Sequence, residues 1–398
     1  ILDMYKEAGV IGLLGGDVDP YSLWPLTKTL ISEEFSRKNS YSFQQIAEYY
    51  IKEENPYLDD VIRVAESIAK APYDDKRFAS SGEDAERDLG RRATNLLERS
   101  INSPQGHAME VLLKASQIPE RRCQIFGILN KMLPTMPECI KALCLNYIHN
   151  NSSDDETLFY PFLKQLLSGL GCEALAIRGG AIQWCFYHKN DVVGNYIDRI
   201  EADDMSHEIL SQIYFYGLSS EKNRSECEQR LENILKLNNE NVVSKIVEVA
   251  LKSFEQADIR KYSIRYLERF ASDDRKAVAN AYCWYCESLP VEAFKFYCHI
   301  AKTWAGKKHR EIHSQLEYVK KCISRYPEEC YDFIVGQKYS EIDEQWIADD
   351  DVVRVLLQIY GKLKEEENES CMNGIMDLFD EYIYRGNRMI MGAIDNIN

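Results

Sequence analysis

The residue types best suited to chemistry are thinly spread along this chain. Cys283-Trp284-Tyr285-Cys286 is a lone C-x-x-C, and His309 and His313 follow at i, i+4 spacing. Two thiolates and two imidazoles can close a tetrahedral zinc site. A zinc finger, however, separates its pairs by roughly 12–15 residues, and 22 lie between Cys286 and His309. Cysteines at i, i+3 beside Trp284 and Tyr285 read instead as core packing on a helix. The run His309-Arg310-Glu311-Ile312-His313 is not a zinc-protease helix, which needs a glutamate directly after the first histidine. Gly9, Gly12, Gly15 and Gly16 have the density of a phosphate loop, but Asp17-Val18 follows where Lys-Ser/Thr is required. A carboxylate there repels phosphate. No serine–histidine–acid or paired-carboxylate spacing stands out. Asp59-Asp60, Asp154-Asp155 and Asp349-Asp350-Asp351 sit at loops and helix starts, where capping and solubility explain them. The expectation is no metal, no cofactor and no catalytic site in this chain.

One cluster is better suited to binding than to catalysis. Lys307-Lys308-His309-Arg310 is a basic island in a chain of formal net charge −16. It follows Gly306 and reads as a helix start, where cations oppose the dipole. That local cost points to a use, with Lys307, Lys308 and Arg310 meeting an acidic protein surface. Aromatics make up 11% of the chain and include 25 tyrosines, residues that either anchor interfaces or fill gaps between helices. Tyr214-Phe215-Tyr216 cannot turn every ring inward on one helix, so Tyr214 and Tyr216 join the candidate contact residues. Trp184, Trp284 and Trp304 fall in apolar stripes, so most of them read as core.

Helices must position these groups. Phe159, Phe162, Leu163, Leu166, Leu167 and Leu170 follow i, i+3, i+4, i+7 spacing, the mark of one buried helix face. Ser153 and Glu156 give that helix a capping box. The same stripe recurs as Val243, Ile246, Val247, Ala250 and Phe254, then as Ile259, Tyr262, Tyr266, Leu267 and Phe270. It returns as Val353, Leu356, Leu357 and Tyr360, and as Met372, Ile375, Met376, Phe379 and Ile383. Asp203-Asp204, Asp273-Asp274, Leu289-Pro290 and Tyr326-Pro327 mark short joints. No alternating strand pattern is present. Similar helix-opening phrases at Ser103–Leu112 and Ala176–Trp184, with weaker echoes near Asp258 and Asp274, predict repeats about 30–40 residues long. The predicted fold is all-α: an α-solenoid of stacked antiparallel helix pairs, HEAT-, armadillo- or TPR-like. A loop over 71–83 divides it into an N-terminal helical section, 1–84, with a Gly-rich and irregular start, and a repeat array, 85–398.

Composition narrows the class further. With 45% hydrophobic and 28% charged residues the chain is globular. Its acidity argues against nucleic acid as a partner and mildly favours basic ones. Its 12 cysteines lack the layout of a secreted disulfide framework; they read as reduced core thiols, and the expected location is cytoplasmic. No apolar run approaches the roughly 20 residues of a membrane span, and no signal peptide is visible. The chain begins at Ile1 rather than Met, which is expected of a piece of a longer protein.

One phrase carries a resemblance. Ile101-Asn102-Ser103-Pro104-Gln105-Gly106-His107-Ala108-Met109-Glu110-Val111-Leu112 resembles a helix-opening phrase in the HEAT-like C-terminal regions of large bacterial STAND-type NTPases and related anti-phage defence proteins. That phrase typically reads Asn-Ser-x-Arg-Gly-x-Ala-x-Glu-Ala-Leu, and Gln105 stands where arginine is frequent. Ile177-Arg178-Gly179-Gly180-Ala181 is similar to its later occurrences. The resemblance is specific over about a dozen residues and loosely compatible with the chain from about residue 85 onward. It implies a sensor region whose helical array recognises a foreign (phage) protein while a separate NTPase and effector act. The leading expectation is therefore a protein-binding scaffold or sensor, not an enzyme. A helical-repeat enzyme with an unrecognised active site, such as one excising DNA bases, is the alternative and requires a continuous basic groove. A purely structural subunit is the third reading.

Overall fold

The structure, a computed structural model, describes residues 9–16, 19–52, 55–73, 88–147, 156–301, 312–337, 339, 345–384, 387 and 390. Among them the secondary structure is all helical, with no strand. The chain divides into two compact units, Ile1–Ile209 and Leu210–Asn398.

The first unit contains α1 (Pro20–Leu30), α2 (Glu33–Lys38), α3 (Ser40–Glu48), α4 (Leu58–Ala69), α5 (Leu89–Ile101), α6 (Pro104–Ala115), α7 (Pro119–Met132), α8 (Glu138–Tyr147), α9 (Glu156–Ser168), α10 (Glu173–His188) and α11 (Asn190–Ile200). Residues 9–14 are also helical, so Gly9 and Gly12 lie in a helix rather than an irregular entry. Helix starts follow local chemistry. Asp19 accepts from the Tyr21 N–H with Pro20 at the first helical position, and Asp88 accepts from the Arg91 N–H. Both α3 and α4 pack on α6, across the position where the sequence reading divides 1–84 from 85–398.

Helices two apart in the chain lie side by side. In the first unit α6, α8 and α10 form one row and α7, α9 and α11 another. The second unit contains α12 (His207–Gly217, which begins at the unit boundary), α13 (Arg224–Leu235), α14 (Glu240–Lys252), α15 (Arg260–Phe270), α16 (Lys276–Trp284), α17 (Phe294–Ala301), α18 (His313–Cys322), α19 (Pro327–Gln337), α20 (Gln345–Glu365) and α21 (Glu369–Tyr384). There α14, α16, α18 and α20 form one row, and α17, α19 and α21 another. Within these rows each successive pair of helices is one layer, whereas α5 stands outside them and packs on both α8 and α10.

Polar side chains tie one layer to the next at a near-constant offset. Lys189 reaches Glu156 and Arg325 reaches Glu292, both 33 residues back. The offset is 34 for Lys321 and Glu287, and 37 for Arg269 and Glu232. These separations fall within the repeat length read from the sequence. Arginines also close the carboxyl ends of helices one layer back, where carbonyls lack helical partners. Arg178 Nε donates to the Asn146 carbonyl at 3.2 Å, Arg199 Nη2 to those of Leu167 and Leu170 at 2.8 and 2.7 Å, and Arg275 Nη1 to that of Asn238 at 2.7 Å. Arg178 itself stands outside helical geometry (φ −143°, ψ 38°), at the kink of α10.

The tyrosine abundance has a structural outlet. Tyr266, Tyr282, Tyr297 and Tyr318 are fully buried, and each hydroxyl is bonded. Tyr266 donates to Glu232 Oε1 at 3.0 Å, Tyr282 to the Leu267 carbonyl at 2.5 Å, Tyr297 to the Tyr282 carbonyl at 3.4 Å and Tyr318 to the Pro290 carbonyl at 2.8 Å. Buried phenols filling gaps between helices remain affordable only when so satisfied. Burial opposes ionisation of Glu232, yet Arg269, Tyr266 and Arg265 together hold its carboxyl below the usual range. Such a group contributes stability that is present above its unfolded pKa of about 4.3 and lost as pH falls through the lower folded value. Acid unfolding of the second unit should therefore be shallower in Glu232→Gln than in the parent, as followed by circular dichroism below about pH 4.

Candidate protein-recognition surface

Two tryptophans correct the sequence reading. Trp184 is 45% and Trp284 60% exposed, although most of the stripe tryptophans were expected in the core. In α10 the buried side chains after the kink are Ile182, Cys185 and Phe186. Trp184 lies on the opposite side, in an exposed stripe with Ala176, Gly180 and His188. The His188 ring sits 4.9 Å from that of Trp184. One turn earlier, Gly180 borders open space. The indole therefore stands beside a bare backbone notch, a shape that admits a partner's main chain close to the helix.

In the second unit Val278, Ala279, Ala281, Tyr282 and Cys283 fill the buried arc of α16, which leaves Trp284 facing outward. Next to it, the Tyr285 ring lies under Lys252 Nζ at 4.4 Å. Glu248 binds Lys252 at 2.6 Å and Lys245 at 2.7 Å. Burial opposes its ionisation, and the two lysines still hold it below the usual carboxylate range. The result is an exposed indole followed by a half-buried tyrosine that carries a lysine on its ring, the composition of an interface anchor with a polar rim. The phase of the neighbouring apolar residues, more than stripe membership, was the sequence signal for both tryptophans.

The other candidate contact residues fare differently. Tyr214 is fully buried under Arg230 and belongs to the core, not to a contact surface. The run 214–216 resolves with Tyr214 and Phe215 inward and Tyr216 half-buried. Lys307, Lys308 and Arg310 lie outside the described residues, as do Trp304 and His309. Cys283 and Cys286 are buried, and the Cys286 thiol lies 3.1 Å from the Cys283 carbonyl. His313 is exposed.

The phrase at Ser103–Leu112 forms a helix-to-helix joint. Ser103 Oγ donates to the Ser100 carbonyl at 2.7 Å and accepts from the Gly106 N–H at 2.9 Å. Gln105 Nε2 donates to the Pro72 carbonyl at 3.1 Å. His107 Nδ1 meets Ser40 Oγ at 2.9 Å, and Glu110 meets Gln44. Burial pushes the His107 pKa down and the Glu110 pKa up. A neutral histidine on a serine hydroxyl has the spacing of a base and a nucleophile. No carboxylate among the described residues hydrogen-bonds the other ring nitrogen, and Ser40 is itself buried, so the pair reads as a seam between α3 and α6. Among the described residues no cluster of three metal-ligating side chains occurs, and no helix is long and apolar enough to cross a membrane. No protein-family model, curated protein or solved structure matches the chain.

Proposed function

We propose that this chain is a protein-recognising helical-repeat module, the sensing part of a larger assembly whose target is a foreign protein such as one from a phage. The observation that carries the reading is the outward placement of Trp184 and Trp284 on helices that already have complete buried faces. An exposed tryptophan contributes little to its own fold and much to a partner's binding when covered. The layered arrangement supports the reading, because stacked helix pairs present extended surfaces for recognition. The sensor role rests on the resemblance of the Ser103–Leu112 phrase.

Replacing His188 with a photo-crosslinking amino acid should trap a defined protein when illuminated in the source cells, with and without phage. The trapped band should disappear in Trp184→Ala. Equal trapping from Lys131, on the exposed face of α7, would overturn the assignment. So would a band indifferent to Trp184.

A further inference from the structure

A cavity of about 430 Å³ opens in the second unit between α17 and α19, lined by Lys295, Cys298, Glu329, Asp332, Phe333, Gly336 and Gln337. That volume lies within the roughly 300–1,000 Å³ typical of ligand pockets. Its charges are unevenly spent. Lys295 is held by Glu329 and sits 5.3 Å above the Tyr326 ring. Asp332 is exposed and has no ion pair or side-chain hydrogen bond among the described residues, so among these residues the wall carries one carboxylate more than its lysine balances.

Three further features favour a cation. Phe333, Gly336 and Gln337 occupy the carboxyl-terminal turn of α19, where the helix dipole is negative, and no basic residue stands in that turn. Phe333 belongs to the same wall and is held in place by Phe294 and Tyr297, whose rings lie 5.9 and 5.7 Å from its own. Gly336 is exposed and a Cβ there would meet nothing within 4 Å, so no side chain screens the helix end at this edge of the cavity.

The geometry points to this cavity as the receptor for an arginine side chain of the partner protein, its guanidinium paired with Asp332 and its stem against Phe333. Guanidinium suits the site better than ammonium because it is planar, weakly hydrated and able to stack on a ring while forking onto a carboxylate. A basic partner also complements a net charge of −16. The assignment rests on the protein-recognition reading for its biological sense but is testable without any partner.

Cys298, half-buried in the cavity wall, reports occupancy, and Cys123, exposed on α7, is an internal reference. N-acetyl-arginine amide at ten times its dissociation constant should slow iodoacetamide labelling of Cys298 roughly ten-fold, the ratio of occupied to free sites, and leave Cys123 unchanged. The neutral analogue N-acetyl-citrulline amide should not protect, and Asp332→Asn should abolish protection while retaining the parent circular dichroism. In parallel, the arginine amide should raise the unfolding temperature of the parent and not of Asp332→Asn. Absence of any stabilisation, equal protection by the citrulline compound, or protection that survives Asp332→Asn would overturn the assignment. Such a result would leave the recognition reading to stand or fall on the crosslinking result.

Discussion

Arg92→Met should destabilise the first unit by about 3–5 kcal/mol, the usual consequence of stranding one partner of a buried ion pair. Arg92 of α5 binds Glu173 at the start of α10, and the Glu173 side chain is only 6% exposed. Their surroundings offer little substitute. The Glu173 carboxylate lies close to Gly171, whose N–H is already taken by Glu138 at 3.2 Å, and Arg92 Nη1 also contacts Met205 Sδ at 2.8 Å. Removing the cation leaves a carboxylate with neither water nor a counter-charge. Arg92→Met/Glu173→Met should recover most of the loss, because two well-packed apolar side chains replace a buried pair at little or no net cost. Urea denaturation of the three proteins checks both expectations. A double variant no more stable than Arg92→Met would show that packing of the arginine stem, not its charge, carries the effect.

Gly106→Ala should be the other large effect, at about 3 kcal/mol, the upper end for overpacking a close contact. A methyl at Gly106 would fall on the Ser100 carbonyl oxygen and lie 2.6 Å from its carbon, and both atoms are backbone. They cannot rotate aside as a side chain would. The same carbonyl accepts from Ser103 Oγ and the Ser103 N–H, so displacing it also loosens the cap of α6. Gly127→Ala offers the contrast. It is exposed inside α7 with nothing within 4 Å of its would-be Cβ, so alanine there should stabilise by about 0.5–1 kcal/mol. Paired thermal melts would read opposite signs.

The helical fold was legible because each stripe repeats at the helical period. Val243, Ile246, Val247, Ala250 and Phe254 are all buried, as their spacing requires. The joint at Tyr326-Pro327 is likewise where α19 begins. Phase was less legible. Met372 and Met376 read as core, yet Cys371, Ile375, Phe379 and Tyr382 carry the burial of α21, a rotation that their similar spacing conceals. In α10 the kink falls at Arg178, just before Gly179-Gly180, and coincides with a contact to the preceding layer that local sequence does not show. The contact surface was the least legible part. Exposure of Trp184 and Trp284 depends on which side of each helix its neighbours cover, a property of tertiary packing. The basic island, read from its contrast with the chain's acidity and its place at a helix start, lies outside the described residues. The cavity between α17 and α19 joins residues more than 30 positions apart, at spacings that match no short motif.

The near-constant offset between bonded layers also constrains how such a chain can change in length. Gaining or losing a complete block of 33–37 residues keeps ion pairs such as Lys189–Glu156 and Arg325–Glu292 in register and leaves Arg199 and Arg275 over their helix ends. Removing a single helix would exchange the two rows from that point onward, placing faces shaped for one set of neighbours against the other. Length changes that keep both rows in register are thus whole layers, with smaller insertions accommodated at the joints between helices.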